Sequence, residues 1–282
     1  MEAVVEVSGL RRAYGDLTAV DGIGFELAAG TCTALLGPNG AGKTTTVEIL
    51  EGYRHRDAGE VRVLGVDPAD GTPAWRARLG IVPQDCADLL ELTVAECVTF
   101  FGSLFPRPRG TEATIGLVGL TAKATSRVAT LSGGQRRRLD VALGIVGDPE
   151  LLFLDEPTTG FDPEARRAFW DLIRTLKGEG TSIVLTTHYM EEADALADRV
   201  IVVNHGKVVA DAPPAALGVR SADVAIVRWT VGGVVMTRET STPTALIAEL
   251  HHAHGELHDL EVRRPTLEDV YLALVDADEV AR

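Results

Sequence analysis

A chain of 282 residues can form one large domain, or one domain with a smaller one appended. Because 45% of the residues are hydrophobic and 24% are charged, the composition is typical of a globular protein and excludes a largely disordered one. Forty-one acidic against 27 basic side chains give a net charge of −14, which would repel a nucleic-acid backbone. We therefore expect no nucleic-acid partner.

Cysteine usage and the N-terminal residues predict a reducing, cytoplasmic setting. The three cysteines are odd in number and form no CxxC pair, so neither a disulfide framework nor a zinc site is indicated. The segment MEAVVEVS carries acid where a signal peptide would carry base, and no apolar run approaches the roughly 18 residues that a membrane span needs. Any association with a membrane would then require a partner.

Short apolar runs typical of buried strands alternate with helical patterns, which predicts an α/β sheet layered with helices. The predicted strands are residues 4–7, 31–36, 61–64, 79–82, 151–154, 182–186 and 200–203. Strand signals stop between residues 93 and 146, where helical signals dominate. We expect a mainly helical insert there, within the domain that carries the sheet.

The pair Pro213-Pro214 predicts a boundary between an N-terminal domain, residues 1–212, and a small C-terminal domain, residues 213–282. After it, residues 224–231 and 234–238 alternate like a hairpin around Gly232-Gly233. Helical patterns follow at residues 243–254 and 267–275. These signals favour a small α+β fold for the C-terminal domain.

The segment GPNGAGKT follows the apolar strand TCTALL and opens the helical run TTTVEIL, which is the context of a P-loop. Glycines let backbone N–H groups surround phosphate oxygens, and the start of a helix adds positive potential. Lys43 would reach the β and γ phosphates, and the Thr44 hydroxyl would ligate Mg²⁺. The predicted nucleotide-binding residues of this segment are Gly37, Pro38, Asn39, Gly40, Ala41, Gly42, Lys43, Thr44 and Thr45.

A P-loop alone is compatible with a kinase, a GTPase, a helicase or a transporter ATPase. Two acidic residues help to distinguish these classes of protein. The run LLFLDE places Asp155 and Glu156 just past a buried strand, at the end where ligands of α/β sheets bind. Asp155 can hold Mg²⁺ through water, and Glu156 can polarise the water that attacks the γ-phosphate. We predict Asp155 as a metal residue and Glu156 as the catalytic base.

Two further predicted strands end in polar residues that could contact the γ-phosphate, its Mg²⁺ or the attacking water. The run LGIVPQ delivers Gln84, whose neutral side chain can contact Mg²⁺ or the attacking water. The run SIVLTTH delivers His188, which can hydrogen-bond the γ-phosphate. Both are predicted catalytic residues, and Gln84 is also a predicted metal residue.

A second segment with the character of an anion site is LSGGQRRRL, residues 131–139. Apolar residues recur from Leu139 with helical spacing, so an amphipathic helix should start near Ser132, a good N-cap. The arginines at 136–138 are predicted to form a solvated helix turn, because the chain is acidic overall. The residues predicted to bind nucleotide here are Leu131, Ser132, Gly133, Gly134 and Gln135.

These motifs, in this order and approximate spacing, resemble the ATP-binding subunits of ABC transporters over residues 2 to about 212. The resemblance implies a P-loop NTPase fold with a RecA-like core sheet, an antiparallel β subdomain and a helical insert. It also implies ATP and Mg²⁺, with Tyr14 stacking on adenine and Asp162 in a D-loop that reads TTGFD. Phe161 stands where that loop more usually has Leu.

The same resemblance implies that two copies of the chain sandwich two ATP molecules head to tail. The signature LSGGQ of each copy would contact the γ-phosphate held by the other copy's P-loop. A separate integral-membrane subunit, docked against the helical insert, would use the opening and closing of the sandwich, with Gln84 as the communicator. The chain would then be peripheral on the cytoplasmic face of the cell membrane.

The C-terminal run RPTLEDVYLAL, residues 264–274, resembles the tail signature of drug-resistance and ABC-2 type exporter ATPases, such as the daunorubicin-efflux ATPase. This implies export of a drug, natural product or lipid-like solute. The alternative is an ABC ATPase acting on DNA or ribosomes. DNA-repair members insert a long coiled coil, for which the stretch from Gln84 to Leu131 is too short, and ribosomal members carry two cassettes. A small-molecule kinase is disfavoured by LSGGQ and His188.

Overall fold

The structure is a computed structural model that describes residues 3–82, 90–219 and 224–263 together with Asp269 and Tyr271. The chain divides into two compact units, residues 1–209 and 210–282. The predicted boundary after Ala212 lies close to this division, and its assignment as a border between domains stays a prediction.

An antiparallel sheet of three strands begins the first unit. It contains β1 (Ala3–Tyr14), β2 (Leu17–Ala28) and, after the strand β3 described below, β4 (Ala58–Val63), in the order β2-β1-β4. In β1 the buried Val5 and Val7 alternate with exposed residues, as expected for a sheet with one face on the core. Sequence reasoning missed β2, because Asp21, Gly22 and Gly24 break its apolar run.

A second sheet has six strands in the order β5-β6-β7-β3-β8-β9. Its strands are β3 (Cys32–Leu36), β5 (Leu79–Val82), β6 (Leu151–Asp155), β7 (Ser182–Thr187), β8 (Arg199–Asn204) and β9 (Lys207–Ala212). From β5 to β8 the pairs are parallel, and every residue of β3 and β7 is buried, as is usual where helices cover both faces. The carboxyl ends of β6, β7 and β3 therefore lie side by side.

Helices connect these strands. They are α1 (Lys43–Leu50), α2 (Pro73–Arg76), α3 (Val94–Gly102), α4 (Thr111–Leu117), α5 (Gly133–Ile145), α6 (Pro163–Gly178) and α7 (Met190–Leu196). Helices α3, α4 and α5 pack on one another between β5 and β6, where the sequence predicts a helical insert. No helix in the described part of the chain is long and apolar enough to cross a membrane.

The second unit has an antiparallel sheet in the order β11-β10-β12, with helix α9 against it. Its elements are α8 (Pro214–Val219), β10 (Ala225–Val231), β11 (Val234–Thr240), α9 (Pro243–His254) and β12 (His258–Arg263). Val227 and Trp229 pack with Leu246 and Leu250 to form its small core. The hairpin and α9 agree with the predicted pattern, β12 was not predicted, and nearly all of 267–275 lies outside the described residues.

Candidate nucleotide-binding site

The loop between β3 and α1 can only be built with glycine at two positions. Gly42 adopts a left-handed φ of 101°, and a Cβ there would lie 2.3 Å from the carbonyl oxygen of Ala19. A Cβ at Gly37 would lie 2.2 Å from the carbonyl oxygen of Val203. Because side chains are excluded at both points, the loop backbone packs against β2 and β8 and leaves its inner side open.

Lys43 is the buried cation of this loop. Its Nζ donates hydrogen bonds to the carbonyls of Gly37, at 2.8 Å, and Pro38, at 3.1 Å. Burial lowers the pKa of the Lys43 ammonium, and the carboxylates of Glu156 and Asp155 partly oppose that shift. A buried ammonium that bonds only neutral carbonyls keeps its attraction for an anion, so the loop is suited to phosphate.

Asp155, at the end of β6, faces Thr44 at the start of α1. Its Oδ2 lies 3.5 Å from the Thr44 hydroxyl, and its Oδ1 accepts a hydrogen bond from the Thr186 hydroxyl of β7. A hydroxyl and a carboxylate are the hard oxygen donors that Mg²⁺ prefers, and Mg²⁺ is usually held by one or two such groups plus phosphate and water. The residues present therefore fit a magnesium ion.

Glu156 follows Asp155 in an unusual backbone conformation. Its φ is 44°, in the left-handed region that costs a non-glycine residue about 1–2 kcal/mol. The Glu156 amide donates to both the carbonyl and the hydroxyl oxygen of Thr186, each at 3.1 Å. The Glu156 Oε1 lies 3.3 Å from Nδ1 of His188, and the carboxylate is only 15% exposed. Two predicted catalytic residues are thus neighbours.

A cavity of about 460 Å³ opens over the loop, within the size range of small-molecule sites. It is lined by Tyr14, Leu17, Ala19, Asn39, Gly40, Gly42, Lys43, Thr44, Thr45 and Glu156. Most of the residues predicted for the nucleotide's phosphates and base thus share one cavity. Leu17 and Ala19 were not predicted, although they alternate along β2 after the turn at Tyr14.

Tyr14 stands at the wall of this cavity between two cations. The guanidinium carbons of Arg12 and Arg54 lie 4.9 and 5.4 Å from its ring centroid. Sequence reasoning missed both arginines, because Arg54 comes from the segment after α1 and meets Tyr14 only in the folded chain. Each arginine also pairs with a carboxylate, Arg12 with Asp57 at 2.5 Å and Arg54 with Glu48 at 2.6 Å, so the aromatic wall has two ion pairs beside it.

The signature residues lie outside the cavity. Ser132 is the N-cap of α5: its Oγ accepts from the Gln135 amide, and the Gln135 side chain accepts from the Ser132 amide. Ser132 and Gly133 are exposed. The helix starts where the sequence predicts, but its first residues contribute nothing to the lining of the cavity in their own chain.

Asp162 is exposed and caps α6, because its Oδ1 accepts from the Ala165 amide at 2.8 Å. The preceding Phe161 is buried against Phe169 in an edge-to-face contact with ring centroids 6.0 Å apart, so phenylalanine packs well where leucine is more usual. Gln84 lies outside the described residues.

The prediction of a solvated arginine turn is wrong for Arg137. Its side chain is only 8% exposed, and its guanidinium donates to the carbonyls of Asp155 and Pro157. The net acidity of a chain says nothing about one helix face, and this face of α5 lies on the carboxyl end of β6. Arg136 and Arg138 are partly exposed.

Comparison with known proteins distinguishes a transporter ATPase from a kinase, a GTPase or a helicase. The family model described as ABC transporter matches residues 20–159. A Nod factor export ATP-binding protein I from Rhizobium sp. is 38% identical, over 97% of this chain and 97% of the relative. The chain belongs to the ABC transporter family. A daunorubicin resistance ATP-binding protein of Streptomyces coeruleorubidus is also 38% identical, over 98% of this chain and 97% of the relative.

Solved structures agree with the fold. An ATP-binding cassette of an ABC transporter in its ADP conformation gives a TM-score of 0.68 at 20% identity, over 76% of this chain and 92% of the other. An ATP-binding subunit of an ABC transporter gives 0.69 at 25% identity, over 77% and 92%. The P-loop NTPase fold, the ABC transporter family and the role as an ATP-hydrolysing subunit are confirmed.

Proposed function

We propose that this ATPase powers export of a drug, natural product or lipid-like solute through a separate integral-membrane subunit. The observation that carries the proposal is the meeting of Lys43, Thr44, Asp155, Glu156 and His188 at the carboxyl ends of three adjacent parallel strands. The names of the relatives, which refer to Nod factor export and daunorubicin resistance, support the direction of transport and the chemical range of the solute.

The nucleotide would bind in the 460 Å³ cavity. The loop amides and the start of α1 offer hydrogen-bond donors and positive potential to the phosphates. Lys43 would exchange its bonds to the loop carbonyls for the β and γ phosphates, which compensate a buried ammonium better than neutral oxygens do. The Tyr14 ring would stack on adenine at the wall of the cavity.

Mg²⁺ would be held by the Thr44 hydroxyl and the Asp155 carboxylate, together with Gln84. These residues would hold the ion where it would supply Lewis-acid chemistry to the phosphates. The Thr186 hydroxyl keeps the Asp155 carboxylate oriented, because it donates to the other carboxylate oxygen. The residues that position this carboxylate are therefore in place within the chain.

Glu156 would accept the proton of the attacking water. The two hydrogen bonds to its amide fix its backbone, and His188 lies beside its carboxylate and would hydrogen-bond the γ-phosphate. A general base of this kind contributes about 10²- to 10⁴-fold in rate. The 3.3 Å distance between Glu156 and His188 supports a common position for the γ-phosphate and its water.

A second copy of the chain would complete each site. Ser132 and Gly133 are exposed at the start of a 13-residue helix that has no acidic residue in its first turn, so they can receive an anion from outside. In a head-to-tail dimer that anion would be the γ-phosphate held by the partner's P-loop. Leu131, Gly134, Gln135 and Asp162 would lie at the same interface, so association would depend on nucleotide.

The membrane subunit would dock against the insert formed by α3, α4 and α5, with Gln84 passing the state of the nucleotide to it. The chain would then sit on the cytoplasmic face of the cell membrane, attached only through that subunit. Opening of the dimer after hydrolysis would drive alternating access in the membrane subunit. No nucleic acid takes part in this cycle.

Glu156→Gln tests the proposal most directly. The amide keeps the shape of the side chain but cannot accept the proton, so we expect ATP binding to persist, turnover to fall by about 10²-fold or more, and a nucleotide-bound dimer to accumulate. Phosphate release and size-exclusion chromatography with ATP measure these outcomes. Glu249→Gln, which makes the same charge change on an exposed face of α9, is the matched control.

The same pair of variants tests export in cells. A strain without the wild-type gene should become sensitive to one or more compounds in a panel of hydrophobic antibiotics. Wild type and Glu249→Gln should restore resistance, and Glu156→Gln should not. Full turnover by Glu156→Gln would remove the residue from the role of base, and equal complementation by all three would contradict powered export.

A further inference from the structure

Arg137 is a buried cation between two parts of the site. It lies just past the first turn of α5, the helix that Ser132 caps, and its side chain is 8% exposed. Its Nε donates to the Pro157 carbonyl at 3.1 Å, and its Nη2 donates to the Asp155 carbonyl at 2.8 Å. These two carbonyls belong to the residues on either side of Glu156.

Glu156 needs such support because its φ of 44° is unfavourable for a residue with a side chain. Thr186 holds the Glu156 amide from the β7 side. Arg137 holds the chain before and after Glu156 from the α5 side, and the proline ring fixes φ at Pro157. Together these contacts hold the backbone on both sides of Glu156, and Arg137 is not among the residues that line the cavity.

The helix that carries Arg137 is itself fixed to the sheet at its other end. At Gly144, a Cβ would lie 2.4 Å from a methyl group of Val82, and at Gly80 a Cβ would lie 2.4 Å from the Gly144 carbonyl oxygen. Helix α5 therefore contacts β5 directly near its C-terminus and reaches the end of β6 through Arg137. A displacement of the Ser132 end would be transmitted to the Glu156 backbone through this guanidinium.

We infer that Arg137 is a positioning residue that sets the orientation of Glu156 and links it to the signature end of α5. The inference rests on the proposed role of Glu156 as the base. In the head-to-tail dimer, the Ser132 end of α5 would contact the partner's ATP, while Glu156 acts on ATP bound by its own chain. Arg137 then joins the two ATP sites of the dimer through one side chain.

Arg137→Met and Arg137→Lys test this inference in the full-length chain. Methionine removes both hydrogen bonds, and lysine keeps the charge but cannot span both carbonyls in the fork geometry of a guanidinium. We expect kcat for ATP hydrolysis to fall about 10- to 100-fold with methionine, as for a misplaced catalytic group, and less with lysine. ATP affinity should stay within about threefold, since no cavity-lining residue is changed.

Arg138→Met is the matched control, because it removes the same charge from the adjacent, partly exposed position of α5. Its kcat should stay within about twofold of wild type, as expected for a surface substitution. Circular dichroism and thermal unfolding confirm that each variant is folded at the assay temperature. If Arg137→Met does not fold, Arg137→Lys decides, and full kcat in the lysine variant would overturn the inference.

A double-mutant cycle separates positioning from general structural support. If Arg137 acts through Glu156, then adding Arg137→Met to Glu156→Gln should lower the residual turnover by no more than about twofold. Losses that multiply would overturn the inference, as would a loss of ATP affinity with kcat unchanged. Normal turnover by Glu156→Gln would instead contradict the proposed function, whereas an inactive Glu156→Gln beside a fully active Arg137→Met would contradict only the inference about Arg137.

Discussion

The cavity over the P-loop and the start of α5 are both candidate phosphate sites, but they are built differently. In and beside the cavity, Lys43, Asp155 and Glu156 are held by hydrogen bonds with the P-loop, the start of α1 and β7 of the same chain. At the start of α5, Ser132 and Gly133 are exposed, and the hydrogen bonds of the cap stay within four residues. One site is enclosed by its own chain, and the other faces outward.

This difference explains why one chain carries two candidate anion sites. The cavity has a buried cation, the carboxylate of Glu156 and an aromatic wall, with Asp155 next to Glu156, so we expect it to bind nucleotide by itself. The start of α5 offers donors and a favourable helix end with nothing of its own chain opposite them. We therefore treat the first region as sufficient for binding and the second as half of a site that a second copy completes.

We expect the largest effect from changing the two regions in separate chains, which tests whether they form one shared site. Lys43→Ala removes the phosphate cation, and Ser132→Arg places a bulky side chain at the exposed helix start. We expect each variant alone to lose turnover by about 10²-fold or more, because either change leaves no composite site intact. Only Lys43→Ala should also abolish ATP binding to the isolated chain, as measured by equilibrium binding of labelled ATP.

Mixing the two variants in equal amounts supplies the decisive control. A dimer of Lys43→Ala with Ser132→Arg contains one composite site with neither change, so part of the turnover should return, up to the activity of one site per dimer. Mixtures of each variant with itself should remain inactive. If each variant alone hydrolyses ATP at the wild-type rate, then the model of shared sites is wrong.

A smaller effect is expected from the aromatic wall of the cavity. Tyr14→Ala removes the surface on which adenine would stack, and stacking of a base on an aromatic ring is worth about 1–3 kcal/mol. We expect KM for ATP to rise about 10-fold with kcat little changed, because the ring contacts ground state and transition state alike. Tyr14→Phe keeps the ring and should behave like wild type, whereas an unchanged KM in Tyr14→Ala would place adenine elsewhere.

The parts of the fold that the sequence predicts are those whose physics is local. The glycine spacing of the P-loop, the cap at Ser132 and the buried runs of β6 and β7 each depend on contiguous residues, and the structure has them where they were expected. Strand β2 was missed, because its alternation is interrupted by Asp21 and two glycines. Its existence depends on pairing with β1 rather than on its own composition.

The contacts that join distant segments could not be predicted in the same way. Arg137 reads as one of three surface arginines in the sequence, and only the packing of α5 on the end of β6 buries it. Arg54 reaches Tyr14 across 40 positions of the chain for the same reason. No periodicity or motif marks such residues, because what distinguishes them is the partner across the fold.

The two regions should also differ in their dependence on pH, because a buried acid lies beside only one of them. Glu192 of α7 comes shortly after His188 in the chain, and its fully buried carboxyl group lies beside the hydroxyls of Thr158 and Thr187. Burial raises the pKa of Glu192 above its ordinary value of 4.5, and the nearby Thr187, Thr158, Arg166 and His188 oppose that shift only in part. The α5 start has no acid in its first turn.

The sign of the resulting pH dependence follows from proton binding. Below about pH 4.5 both folded and unfolded chains bear the Glu192 proton, and above it only the folded chain keeps the proton, so stability falls as pH rises towards the folded pKa. Glu192→Gln removes this loss. The melting temperature of Glu192→Gln minus that of wild type should therefore be larger at pH 8 than at pH 5, by at least about 2 °C.

Glu191→Gln provides the matched control, since its side chain is 80% exposed at the preceding position of the same helix. It makes the same chemical change without relieving a buried acid, so its melting temperature relative to wild type should stay level over the same pH range. Thermal unfolding of the three proteins at four pH values measures the effect. A Glu192→Gln curve parallel to that of wild type would show that the Glu192 carboxyl titrates normally, and the proposed difference between the two regions would not extend to pH.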